Sequence, residues 1–254
     1  MTYGNTVALS NSKGDIAPLE ITESECVELN DKNETERKNV ISTLTALLKA
    51  IGKLNKNEKK TLKKAGGTGM TFSSIKSNLP GATGIFCGSS SGHAYACIPN
   101  GLVSGGTKEQ KMGIRKDIRE SDLPEHDAAK KKAGVLCNGS YIHPGGGKGA
   151  HAEAKIINHL YGMPGSTMQG GSILLNIDWR FNRKSGPQQS GMPCETCFKM
   201  LCHAEKECKI NIYICDKNNN PRPLSDGDCE NDEDAYTNLC VRVDGNPIPG
   251  RLSK

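Results

Sequence analysis

The sequence predicts an α/β protein, and three observations carry that expectation. Apolar runs of strand length alternate with segments whose apolar residues recur every three or four positions. The later part of the chain reads strand, helix, strand, helix, strand, an order that implies parallel neighbours in one sheet. The composition, 35% hydrophobic and 24% charged over 254 residues, is that of a folded chain large enough for one domain with an appendage. Aromatic residues are only 4% and glycines number 29, so long loops are expected rather than a dense aromatic core.

Taken in order, the first 35 or so residues are polar and aperiodic and are expected to be loosely ordered. From Glu36 onward Val40, Ile41, Leu44, Leu47, Leu48, Ile51 and Leu54 form one apolar stripe, an amphipathic helix. The Gly-rich AGGTGMTFSSIKSNLPGATG follows, which sets a boundary between an N-terminal polar and helical extension, 1–79, and a main domain, 80–254. Gly84 to Cys87 and Ala94 to Ile98, separated by GSSSG, read as a hairpin or two short strands. Residues 107–121 read as a charged surface helix and Val135 to Ile142 as a strand, followed by the flexible PGGGKGA. HAEAKIINHLYG is helical, SILLNIDW is a strand, PCETCFKMLCHAEKEC is helical with Pro193 suited to a first turn, and KINIYICD is a strand. The tail is polar until a last expected strand, Cys240 to Val243.

Charge and cysteine content narrow the function classes. The net charge of +5 is modest but uneven, with lysines clustered at Lys59, Lys60, Lys63, Lys64 and at Lys130, Lys131, Lys132. Such clusters suit a polyanion, although a solvated face explains them as simply. No apolar run approaches the ~20 residues of a membrane span, so no membrane partner is expected. The N-terminus lacks the layout of a signal peptide, which points to the cytoplasm and leaves open delivery by a system that reads no such signal. Eleven cysteines, an odd count, suggest a mostly reduced chain, with Cys202, Cys208 and Cys215 as core thiols.

Two pieces carry chemistry. His151-Ala-Glu153 opens one helix, and Pro193-Cys194-Glu-Thr-Cys197 opens the next, 43 positions later. Each is weak alone, since a CxxC also fits half a zinc ribbon, a redox pair or two buried thiols. Together they place one His and two Cys at helix N-termini, where thiolate is favoured, on one edge of a parallel sheet. Three protein ligands for Zn2+ leave a fourth position for water, the arrangement of a catalytic rather than structural site. Glu153 is then a proton carrier and not a ligand.

This H-x-E … P-C-x-x-C pattern is the signature of zinc deaminases, and residues 135–216, more loosely 84–243, resemble the cytidine deaminase-like superfamily. The resemblance implies a three-layer α/β/α fold around a mixed, mostly parallel five-stranded sheet. It implies His151, Cys194 and Cys197 as zinc ligands and Glu153 as the proton shuttle. Long loops and abundant glycine and cysteine are most similar to bacterial toxin-type deaminases, which implies single-stranded DNA or RNA as partner and an immunity-type inhibitor as a second. The expected reaction is cytosine to uracil, DNA favoured; adenosine or free-nucleoside deamination and a non-catalytic zinc module stay open. The HAE triplet is also similar to tRNA adenosine deaminases. The gap between the motifs is longer than usual, and the extra RFNRKSGPQQSG is expected at the mouth of the site. Trp179 could stack a base and Arg180 contact phosphate; Asn138 and His143 are further candidates for substrate contact.

Overall fold

A computed structural model describes residues 18–67, 70–90, 95–97, 134–137, 139–141, 151–163, 169–183, 186–229 and 233–244. The expected helix over 107–121, the lysines at 130–132 and the turn after Ile142 lie outside these residues.

The first helix, α1 (Glu23–Ile51), begins 13 residues earlier than its apolar stripe suggests. Thr22 caps it by accepting from the Glu25 amide, and Glu23 and Glu25 favour the positive end of the helix dipole. It stops at Gly52, whose φ of +70° suits glycine. The early turns escape a hydropathy pattern because their buried stripe includes Asn33 and Arg37 beside Cys26 and Leu29. Helix α2 (Lys56–Gly66) follows through a capping box between Asn55 and Glu58.

Strands β1 (Phe72–Leu79) and β2 (Ala82–Ser89) form an antiparallel hairpin. The two-residue β3 (Tyr95–Ala96) pairs with β2 antiparallel, as the hairpin reading expected. Strands β4 (Gly134–Leu136) and β5 (Gly139–Tyr141) make a small separate hairpin where one strand was expected. Then come α3 (Ala152–Gly162), β6 (Ser172–Arg183), β7 (Gly186–Ser190), α4 (Glu195–Cys208), β8 (Asn211–Cys215), β9 (Pro221–Pro223), a 3₁₀ turn (Asp226–Asp228) and α5 (Glu233–Asp244).

The main sheet runs β3-β2-β1-β6-β8-β9, with β7 folded back on β6. It is mixed rather than mostly parallel: among the described pairings only β6 and β8 run parallel, joined by the crossover through α4. The other neighbours are hairpins or, for β1 and β6, an antiparallel pair distant in sequence. Residue 80 falls in the turn between β1 and β2. Cys240 to Val243 is helix, not strand, and its buried Leu239, Cys240 and Val243 join the main core.

Alternation along β6 assigns the two faces. Ile173, Leu175 and Ile177 pack in the core shared with α3 and α4. Leu174 meets Cys26 and Leu29 of α1, while Asn176 and Asp178 bond to Asn33 and Arg37. Helices therefore cover both faces of the sheet.

Four disulfides overturn the expectation of a mostly reduced chain: Cys26–Cys215, Cys87–Cys97, Cys137–Cys208 and Cys202–Cys229. The three cysteines read as core thiols are all bridged. Their partners are far along the sequence, up to 189 positions apart, so spacing alone did not pair them. Such bonds persist under oxidising conditions. No helix among the described residues is long and apolar enough to cross a membrane.

Candidate metal centre

The two motif helices begin beside one another. His151 is the N-cap of α3 and Cys194 the N-cap of α4, and neither spends its side chain on capping. Their carbonyls accept the first helical bonds, from Lys155 and Phe198, so both side chains remain outside the helices. His151 Nδ1 lies 3.0 Å from Cys194 Sγ and 3.3 Å from Cys197 Sγ. All three donor atoms fall within 4.8 Å of one another, a group that could hold a metal ion. Cys197 is buried; His151 and Cys194 are partly exposed, which leaves one side of the group toward solvent.

Glu153 sits in the first turn of α3 and is 3% exposed. Its Oε2 is buried with no hydrogen-bond partner. Burial, then the negative charge of Cys194, push its carboxyl up to about 7. Hydrogen bonding to Cys197 and then to His151 brings Cys194 down to about 4 despite burial, the thiolate form that ligates metals. Burial pushes the Cys197 thiol upward, and hydrogen bonding to Cys194 raises His151.

The strand and glycine framework sets these positions. Gly88 at the end of β2 faces the first turn of α3 so closely that a Cβ there would meet Ile156 Cγ1 at 2.9 Å and Ala152 O at 3.2 Å. The buried Lys155 donates from Nζ to Ser89 O at 3.0 Å, fastening the same turn to β2. On the α4 side, Gly191 lets the chain pass the end of β8, where a Cβ would come within 2.7 Å of Cys215 O. Tyr236 of α5 donates to Pro193 O at 2.9 Å and its ring meets Phe198 at 5.2 Å. Sequence reading missed Gly88, Lys155, Gly191 and Tyr236. Only the Lys155 position, one turn after His151 and between the apolar Ala154 and Ile156, gave any signal.

Of the four candidate substrate residues, two fall among the described residues, and they lie on opposite faces of β6. Trp179 is half-buried against the core shared with α3 and α4, on the same sheet face as the metal group. Arg180 is on the other face, because adjacent strand residues point oppositely. There it pairs with Asp178 at 3.0 Å and with Glu34 of α1. Asn138 and His143 lie outside the described residues. The described parts of the RFNRKSGPQQSG insert extend β6 to Arg183 and form β7, with Trp179 opposite Ser190 and Arg183 opposite Gly186. No family model matches the chain, and neither the characterised proteins nor the solved structures contain a match.

Proposed function

We propose that this protein is a zinc-dependent hydrolytic deaminase of a nucleobase, cytosine in single-stranded nucleic acid with DNA favoured. The observation that carries the reading is a buried carboxylate with an unpartnered oxygen, Glu153, two residues from His151 in a group of one imidazole and two thiols. That donor set suits zinc. Zinc with tetrahedral angles and its usual bond lengths would hold N and S donors about 3.5 Å apart, near the 3.0 and 3.3 Å between His151 and the two sulfurs.

A bound zinc supplies Lewis acidity, which makes water nucleophilic near neutral pH. His151, Cys194 and Cys197 would hold it. Glu153 would take one proton as water adds to the aminated ring carbon and give it to the ring nitrogen, where it stays; it would then carry the second proton, from the new hydroxyl, to the amine. The C–N bond breaks, ammonia leaves, and the ring carbon keeps the oxygen as a carbonyl. Burial keeps the Glu153 proton affinity near neutral, which suits both taking and giving a proton.

A purely structural zinc site would recruit a fourth protein ligand. Among the described residues the group has three members, and Cys202, one candidate for a fourth, is bound to Cys229. The test is to incubate the purified protein with single- and double-stranded DNA and RNA and sequence for C-to-U and A-to-I changes. We expect about one zinc per chain. Glu153→Ala should keep the zinc and the fold and lose about 10²-fold or more in turnover. Zinc-free protein, or a Glu153→Ala variant as active as the parent, would overturn the reading.

A further inference from the structure

We infer that the exposed lysine face of α2 is a docking surface for the phosphate backbone of a single-stranded nucleic acid. Lys56, Lys59, Lys60 and Lys63 are all exposed and fall at i, i+3, i+4 and i+7, one side of the helix. Lys53 precedes them and is exposed as well. The opposite side, Glu58, Thr61 and Ala65, is buried against α1 and the start of β1.

Two facts separate this face from an ordinary solvated one. First, the only acid on α2, Glu58, is 1% exposed and its carboxylate is engaged with the Asn55 amide in the capping box. The lysines have no carboxylate partner among the described residues, so the face presents uncompensated charge. The arginine that sequence placed at the nucleic-acid contact, Arg180, is by contrast held by Asp178 and Glu34.

Second, the helix that carries this face is held to the sheet and not to a loose segment. The last turn of α2 is tied to β6 through Arg37, whose Nη1 donates to Ala65 O at 3.0 Å and whose Nη2 reaches Asp178 Oδ2 at 2.6 Å. Asp178 is followed by Trp179, which turns to the face that carries the metal group. Helix α2 is thereby anchored on the α1 side of the sheet, at the β6 residue next to Trp179.

Lys56 to Lys63 spans about 10 Å at about 1.5 Å per residue. That matches about three nucleotides of a stacked strand at about 3.4 Å each. The face carries charge without exposed apolar side chains between the lysines, which favours a nucleic-acid backbone over insertion into a lipid surface. The inference takes its partner class from the deaminase reading above but is measured by binding, which needs no turnover.

The experiment uses the full chain and Lys56→Gln/Lys59→Gln/Lys60→Gln/Lys63→Gln, checked for an unchanged thermal melt. Binding of a fluorescein-labelled single-stranded DNA of mixed sequence is followed by anisotropy across a salt series. The parent should lose affinity steeply with salt. The quadruple variant should bind more weakly at low salt and show a log–log slope shallower by about 2 to 3 units, at roughly 0.7 per neutralised phosphate. Equal affinity and slope in the two proteins would overturn the inference, as would no binding of DNA by the parent at low salt. Lysine-dependent binding to phosphatidylserine vesicles in place of DNA would overturn it in favour of a membrane surface. DNA binding that follows the lysines, without base conversion, would support the docking surface while rejecting the deaminase.

Discussion

Glu153 lies two residues from His151, in the first turn of α3, beside a group that could hold a metal ion. Were Glu153 hydrogen-bonded on both oxygens, the cluster of His151, Cys194 and Cys197 would read as a plain anchor. Its buried, unpartnered Oε2 is what the proposed proton transfer rests on. Charge elsewhere is spent on structure. Asp178 is shared by Arg37 and Arg180, and the Arg37 guanidinium lies 4.5 Å over the Phe72 ring. Asp228, buried beside the last helix, is another such residue. Burial alone would raise its carboxyl, but hydrogen bonds from Arg242 and Ser225 outweigh that and hold it below the usual carboxylate range. A carboxylate whose folded pKa is lowered contributes stability that is present above its unfolded pKa and lost as pH falls through the folded value. Asp228→Asn should therefore melt below the parent near neutral pH. The gap should close below about pH 4, the ordinary aspartate value. A gap that persists unchanged in acid would show that the ionised form is not what stabilises.

At the scale of elements, the site depends on how α3 docks. Its first turn carries both His151 and Glu153, and that turn rests on Gly88 and on the Lys155 bond to Ser89. The Cβ of Gly88→Ala would press on Ala152 O, a backbone atom of the same turn, so relief must move the helix and not only a side chain. Overpacking of this kind costs about 1–3 kcal/mol. We expect a lower melting temperature and faster loss of metal to a chelator, read by thermal unfolding and metal analysis after dialysis. Unchanged retention would mean that α3 has room to adjust without disturbing the ligands. Helix α4 is restrained differently, by two disulfides in its second half, to Cys137 of the small hairpin and to Cys229 after the 3₁₀ turn.

Across the whole molecule, the layer opposite the site is held by α1. Its N-terminal turns are stapled to β8 by Cys26–Cys215, a closure of 189 positions, and its middle is held to β6 by Asn33 and Arg37. A crosslink over so long a loop constrains the unfolded chain strongly, typically by about 2–4 kcal/mol. Cys26→Ser/Cys215→Ser should lose stability of that size in urea unfolding, with metal content unchanged because Cys194 and Cys197 are not in disulfides. Loss of metal in that variant would show that the outer layer also supports the ligand geometry.

The sequence by itself determined the local pieces. It gave both motif helices, the strands β6 and β8 between and after them, and the residues His151, Glu153, Cys194 and Cys197, because helix starts and apolar periodicity are encoded within a few neighbours. The meeting of those four residues, the mixed sheet and the partners of eight cysteines were decided by tertiary structure. β1 pairs with β6 about a hundred residues away in sequence, and no local pattern carries that register. The early turns of α1 are helical because Asn33 and Arg37 find buried polar partners on β6, which hydropathy cannot see. The same packing turned Arg180 away from Trp179 and left the lysines of α2 outward, since on a strand neighbouring side chains must take opposite faces and on a helix the buried stripe fixes the exposed one.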